Sequence, residues 1–270
     1  MTYLFDRRWQ LQIGQFVTDE LRVTFDIQRS LDWHSNTSTV SVYNLARLTR
    51  DQFDRGTQVS VVAGYRDGVD QLFSGQAEFI ETLRSGADWI TTIECNDGAA
   101  AFGAYARQSY SAGTPLSVVV GSIATSMGLT LSPDASGLLA GKVTRGRLTQ
   151  SGQAPIALQQ VLSSYGLQWS IQSGVLQVLQ SEGSTAETAV LLSPQTGLIG
   201  SPERNDSTTD SRLRVNAKSL LQGSIKPGRK VQLQSATING LFVADQVTHR
   251  GDSRGNTWET EVQLLAARGT

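Results

Sequence analysis

Between residues 21 and 45, LRVTFDIQRSLDWHSNTSTVSVYNL, the chain alternates in a way that few folds accommodate. Leu21, Val23, Phe25 and Ile27 interleave with Arg22, Thr24, Asp26 and Gln28, the period-two pattern of a strand with one buried face. A polar, turn-rich segment, 32–37, leads into a second extended run, where Val40 and Val42 alternate with Thr39, Ser41 and Tyr43. Asn44-Leu45 closes that run ahead of a charged segment, 46–55. Two strands with one apolar face each cannot bury it alone, so the hairpin requires further strands.

The flanking sequence supplies them. Strands are expected over 10–16, over 58–65 (QVSVVAGY, turned by Arg66-Asp67-Gly68), over 72–84 and over 89–95. Gly75 suggests a bulge or bend within the third of these. Such spacing points to a β-barrel or sandwich. After Asn96-Asp97-Gly98 the pattern changes to two helices, each opened by proline and closed by glycine. Thr114 is placed to cap the first, with Pro115 at its first position and Leu116, Val119, Val120, Ile123 and Met127 running to Gly128. The second runs from Pro155 through Ile156, Leu158, Val161, Leu162 and Tyr165 to Gly166. Short strands follow at 129–131, 167–171 and 175–179; the echo is either an internal repeat or generic capping chemistry. A polar linker, 180–189, returns the chain to β structure at 190–192, 213–217, 230–233, 241–250 and 257–265, with 201–211 read as a loop. Pro227-Gly228 and Asn239-Gly240 are its turn signals.

No residue pattern in the sequence marks a catalytic, cofactor-binding or metal-binding site. A nucleophilic triad needs a histidine, and only His34 and His249 are present. His249, Asp252 and Ser253 bring the triad residue types together, but neighbours around a surface turn do not converge on one substrate atom. His34, beside Trp33 in the hairpin loop, reads as a contact residue. Cys95 shares a strand face with Trp89, Thr91 and Ile93 and reads as a small buried side chain. Two histidines and one cysteine do not build a zinc site. The segment 137–142, GLLAGK, is one residue short of a phosphate-binding loop, and Val143 stands where its Ser or Thr belongs. The clusters Lys142/Arg145/Arg147 and Lys226/Arg229/Lys230 lack interleaved aromatics and read as solvated faces. A net charge of −1 gives no global pull toward nucleic acid or an anionic membrane. No membrane span or secretion signal is read, so the glycosylation-type triplets at Asn36 and Asn205 carry no weight.

Taken in order, LRVTFDIQRSL, NTSTVSVYNL, GYRDG, LFSGQAEFI, DWITTIECNDG, TGLIGSPER, SLLQGSIKPGRKVQLQS and VADQVTHRGDSRGNTWETEVQLL resemble the baseplate hub protein of contractile-tailed bacteriophages. Relatives of that family include the late-control tail proteins and the hub portion of type VI secretion spikes. The resemblance implies a mainly β fold with an α/β insertion: two tail-tube-like β-barrel domains, 1–98 and 183–270, flanking a helix-containing module, 99–182. It implies a structural, non-enzymatic virion protein. That protein would be a homotrimer in the tail baseplate, assembled in the host cytoplasm, joining the tail tube to the central spike. Wedge and tape-measure proteins would be further partners, and DNA would pass through the lumen without membrane insertion by this chain. Under this reading Arg22, Thr24, Asp26 and Gln28 face the lumen or a neighbour. Two rivals remain: a wall-degrading enzyme, which would need a carboxylate pair such as Asp97 with a distant partner, and a peptidoglycan- or carbohydrate-binding module.

Overall fold

The computed structural model describes residues 4–181, 183–205 and 213–267. The described residues of Met1–Ser30, Asn36–Asp97 and Glu187–Thr270 form one compact unit, and those of Leu31–Ser35 and Gly98–Ala186 another. In the first unit the chain runs β1 (Arg7–Ile13), β2 (Phe16–Thr18), β3 (Val23–Ser30), β4 (Asn36–Tyr43), a short helix α1 (Arg47–Arg50), β5 (Gln58–Tyr65), β6 (Gly68–Ser85) and β7 (Asp88–Asp97). The second unit contributes α2 (Ala99–Phe102), β8 (Tyr105–Tyr110), α3 (Leu116–Ser126), β9 (Thr130–Leu131), α4 (Pro133–Leu139), β10 (Leu148–Gln153), α5 (Ala154–Ser163), β11 (Leu167–Gln172) and β12 (Val175–Gln180). The chain then returns to the first unit with β13 (Val190–Leu192), β14 (Leu198–Asn205), β15 (Arg214–Leu220), β16 (Lys230–Gln234), β17 (Asn239–Asp252) and β18 (Trp258–Ala266). The fold is mainly β with an α/β insertion, two barrel-type halves flanking the helix-containing module.

The two halves share one 13-stranded sheet in the order β14-β15-β18-β17-β3-β4-β7-β6-β5-β1-β2, with β16 and β13 branching from β17. The branch has a local cause. The first part of β17 pairs with β16 as far as Val243, and the part from Gln246 onward pairs with β3. The register slips between Ala244 and Gln246, a bulge that re-aims the strand where it changes partner. Each half has its own core. Val23, Phe25, Ile27, Val40, Val42, Val59, Phe73 and Ile93 belong to the first, and Leu192, Val215, Val231, Phe242, Val247, Val262 and Leu264 to the second. The first core is completed from the other half: Trp258 meets Phe25 edge-on with ring centroids 5.4 Å apart and donates its indole N–H to Gly64 O at 3.3 Å. Leu21, expected on the buried face of β3, lies just before the strand and is only half-buried.

Strand β6 carries two register shifts, at Leu72 and at Glu78, on either side of the Gly75 where a bulge was expected. The Leu72 bulge lets Leu72 and Phe73 both enter the core, and the Leu72 carbonyl accepts a hydrogen bond at 3.1 Å from the buried Arg29 guanidinium. Gly75 serves close approach instead: a Cβ there would lie 2.4 Å from Asn96 O and 2.6 Å from the Phe73 ring. Gly75→Ala is therefore expected to cost about 1–3 kcal/mol through overpacking, read as a lower urea midpoint with unchanged slope.

In the second unit α3 and α5 pack against each other, over an antiparallel β11–β12 pair extended by β9 in parallel, while β8 and β10 form a separate antiparallel ribbon. Trp169 lies in its core, 6.3 Å from Trp33 and 6.5 Å from Phe102, ring centroid to ring centroid. The tip of the β3–β4 hairpin thus belongs to this unit. Gly128 and Gly166 end the helices with φ of +70° and +68°, where a side chain would be strained. Thr114 does not cap α3; its hydroxyl donates to Ser111 O, and Pro115 occupies the cap position. Helix α4 was not expected, because Gly137 and a short apolar run disguise it. The loop expected at 201–211 begins later: Ser201–Asn205 belong to β14, with Glu203–Asn205 paired to β15, and 206–212 lie outside the described residues.

Candidate functional site

The alternation of β3 creates two faces, and cross-strand register carries both across the sheet. On the face away from the cores Asp26 stands opposite Thr39 of β4 and Arg250 of β17. From β4 the face continues through Thr39 to Glu94 of β7 and on to Phe79 of β6. From β17 it continues through Thr248 to Glu261 of β18, then to Lys218 of β15 and Ile199 of β14. Eight adjacent strands drawn from both halves therefore present one surface. Thr, Ser and Gln make up its middle: Ser41 and Thr92 share a hydrogen bond at 3.1 Å, and the Gln28 amide donates to Asp26 at 3.2 Å.

Charge on this surface is ordered. Arg250 donates to Asp26 at 2.8 Å and to Glu261 at 2.5 Å; Lys218 lies 2.7 Å from Glu259 and 3.7 Å from Glu261. Three acids thus hold two bases in a ladder across β3, β17, β18 and β15. The Arg250 guanidinium is held above its ordinary pKa by its hydrogen bonds to Asp26 and Glu261, and Lys218 by its hydrogen bond to Glu259. At the end of β17 Asp252 takes a two-pronged contact from Arg22, at 3.3 and 2.7 Å, which pulls its carboxyl below the ordinary value. Arg22 also lies over the Tyr43 ring, 4.4 Å from its centroid. Glu81 and Glu94 meet no cation among the described residues, so carboxylates are in excess. At the β6–β7 end the surface turns apolar: Phe79 and Leu83 are more than half exposed, and Ile90 sits between Leu83 and Tyr43.

The residues singled out from sequence scatter. His249 is not on a surface turn. It is fully buried in the middle of β17, its Nδ1 2.9 Å from Thr260 Oγ1, because the inward-facing positions of β17 run through Val247, His249 and Gly251. Burial, with Arg29 and Lys226 nearby, pushes its pKa down to about 3. Ser253 Oγ accepts the Val23 N–H and Asp252 holds Arg22, so the three triad-type residues serve three different partners. His34 is exposed and stacks on Trp33, ring centroids 4.7 Å apart. Cys95 is buried, its thiol pushed up to about 12 by that burial. Asp97 is buried and accepts from the Asn36 N–H and side-chain amide at 3.1 and 3.0 Å. Residues 137–139 lie in α4, and Lys142 Nζ donates to Leu138 O at 2.6 Å. Arg229 is tied to Ser224 O, Thr188 O and Glu187. Among the described residues no group of three or more His, Cys, Asp or Glu comes together as for a metal ion, and no helix is long and apolar enough to cross a membrane. The charge ladder itself was missed, although Lys218, Arg250, Glu259 and Glu261 all stand at outward positions of readable strands.

Residues 10–263 match the family model described as baseplate hub gp41. The chain belongs to the baseplate hub gp41 family. Among solved structures, the tail protein from Neisseria meningitidis MC58 aligns with a TM-score of 0.70 at 12% identity, over 97% of each chain. The 43 kDa tail protein of prophage MuSo2 from Shewanella oneidensis aligns with a TM-score of 0.71 at 9% identity, again over 97% of each. The E. coli c3393 protein, a type VI secretion component with structural similarity to phage T4 tail proteins gp27 and gp5, aligns at 0.64 and 12% identity, over 95% of this chain and 76% of that one. At these identities the likeness is one of fold, and the fold it shares with this baseplate hub gp41 member is that of phage tail proteins. No curated protein shows a significant match to the chain.

Proposed function

We propose that the chain is a non-enzymatic hub subunit of the virion tail baseplate. Three copies close into a ring, six barrel-type halves in all, between the tail tube and the central spike. The continuous eight-strand face lines the lumen through which DNA leaves. One observation carries this reading: the face spans both halves, is built of Thr, Ser and Gln, and pairs its cations internally while leaving carboxylates over. A duplex sliding past such a wall finds hydroxyls and like charge, not free Lys or Arg to neutralise its phosphates. The apolar end at Phe79 and Leu83 is where a neighbouring copy would cover exposed side chains. Tube, wedge and tape-measure proteins would meet the ring's other surfaces, with assembly in the host cytoplasm.

Mass photometry of the purified protein, alone and with its tube and spike partners, tests the ring. Trimers are expected, and Leu83→Asp should shift them to monomers while leaving the melting temperature within about 2 °C, because the side chain is exposed in the subunit. A wild-type chain that stays monomeric with its partners present would overturn the proposal.

A further inference from the structure

The second unit contains a cavity of about 350 Å³ bounded by α5, β10 and the loop between residues 144 and 147. The approach to that loop is pinned. Leu116 N–H donates to Lys142 O at 2.8 Å, Gly113 N–H to Thr144 O at 2.9 Å, Thr144 N–H to Thr114 O at 2.9 Å, and the Tyr165 hydroxyl to Val143 O at 2.8 Å. Beyond this anchor the backbone N–H groups of Arg145, Gly146 and Arg147 find no acceptor among the described residues. Both guanidiniums are exposed and meet no carboxylate among those residues; Arg145 lies against the Tyr165 ring at 5.2 Å. Gln150 also lines the cavity, and its amide makes no hydrogen bond to any described residue. That amide keeps solvent access, so it is open to a ligand that enters the cavity.

We propose that this cavity binds a single acidic sugar unit. Its volume falls at the lower end of small-molecule sites and suits one ring. The half-buried Tyr165 ring offers surface to the C–H face of such a ring, and the Gln150 amide offers both a donor and an acceptor to its hydroxyls. Arg145 and Arg147, with the three open N–H groups, supply the planar, charge-assisted donors that a carboxylate or phosphate takes. Duplex DNA carries the same anion but cannot enter a recess of this size. The basic triplet read from sequence as a solvated face thus divides: Lys142 is used within the fold, and the two arginines are left for a ligand.

Calorimetric titration of the full-length protein tests this with four probes: glucuronic acid, glucose 6-phosphate, uncharged glucose and a short DNA duplex. At least one charged sugar should bind saturably and about tenfold or more tighter than glucose, and which of the two binds tighter identifies the anion. Arg145→Ala with Arg147→Ala should lower that affinity about tenfold without moving the melting temperature, since both side chains are exposed. Gln150→Leu should weaken binding of the same sugar severalfold. Equal affinity for glucose and the charged sugars, no sugar binding, affinity indifferent to loss of both arginines, or equally tight binding of the duplex would each overturn the proposal.

Discussion

Phe25→Ala is expected to cost the larger unit about 3–5 kcal/mol, the range for removing a buried aromatic ring. Phe25 is buried in β3, edge-on to Trp258 of β18, and its ring fills the space above Gly251 of β17, where a Cβ would lie 2.2 Å from the ring. The truncation therefore opens a cavity where strands from both halves interlock, and Gly251 has no side chain with which to close it. Against a typical total stability of about 5–15 kcal/mol this lowers the melting temperature steeply. Gln28→Glu, three residues along the same strand on the opposite face, adds a charge beside Asp26 in solvent and is expected to change stability by no more than about 0.5 kcal/mol. Thermal melts of the two variants decide the matter: if Gln28→Glu melted lower than Phe25→Ala, the faces of β3 would be reversed.

The period-two pattern revealed β3, β4, β5 and β7 because each has one buried and one solvated face, which is the condition under which alternation is visible. The helices α3 and α5 were legible from proline at their starts and positive-φ glycine beyond their ends. What stayed hidden was relational. Nothing in the sequence of β17 states that its first part pairs with β16 and its second with β3, or that Trp258 completes the core of the other half. Nor does alternation alone distinguish an inward from an outward His249. Its neighbours Thr248 and Arg250 are polar, so the local pattern resembled a turn, whereas register against Ile27 places it inside. The outward face was half legible. Its polar positions on β3 could be read directly, while its extension over eight strands required the pairings. The ribbon β8–β10 and helix α4 escaped because neither has a clean period, and the cavity that β10 borders escaped with the ribbon.

The buried His249 carries the second large effect, and its sign follows from linkage. An unfolded chain binds a proton at this imidazole near its ordinary pKa of 6.5, but in the folded protein burial, Arg29 and Lys226 push that pKa down to about 3. Between these values the unfolded state holds the proton and the folded state refuses it. The contribution is therefore fully present above pH 6.5 and is lost as pH falls, by about 1.4 kcal/mol for each pH unit within the window. Arg29 packs from β3 and keeps its own charge buried against Leu72 O, so a second cation at His249 would add repulsion to desolvation. Asp252, depressed below 3.8 by its hydrogen bond with Arg22, adds a loss of the same sign only at lower pH, which leaves pH 4.5–6.5 to the histidine. Urea midpoints measured at pH 7.0 and pH 5.0 should fall by about 2 kcal/mol in stability for the natural chain. His249→Gln should be less stable at pH 7.0, because it replaces a fully packed ring and its contact with Thr260, yet it should show little of this decline. Equal slopes for the two proteins across that window would place the protonation-linked loss elsewhere than on His249.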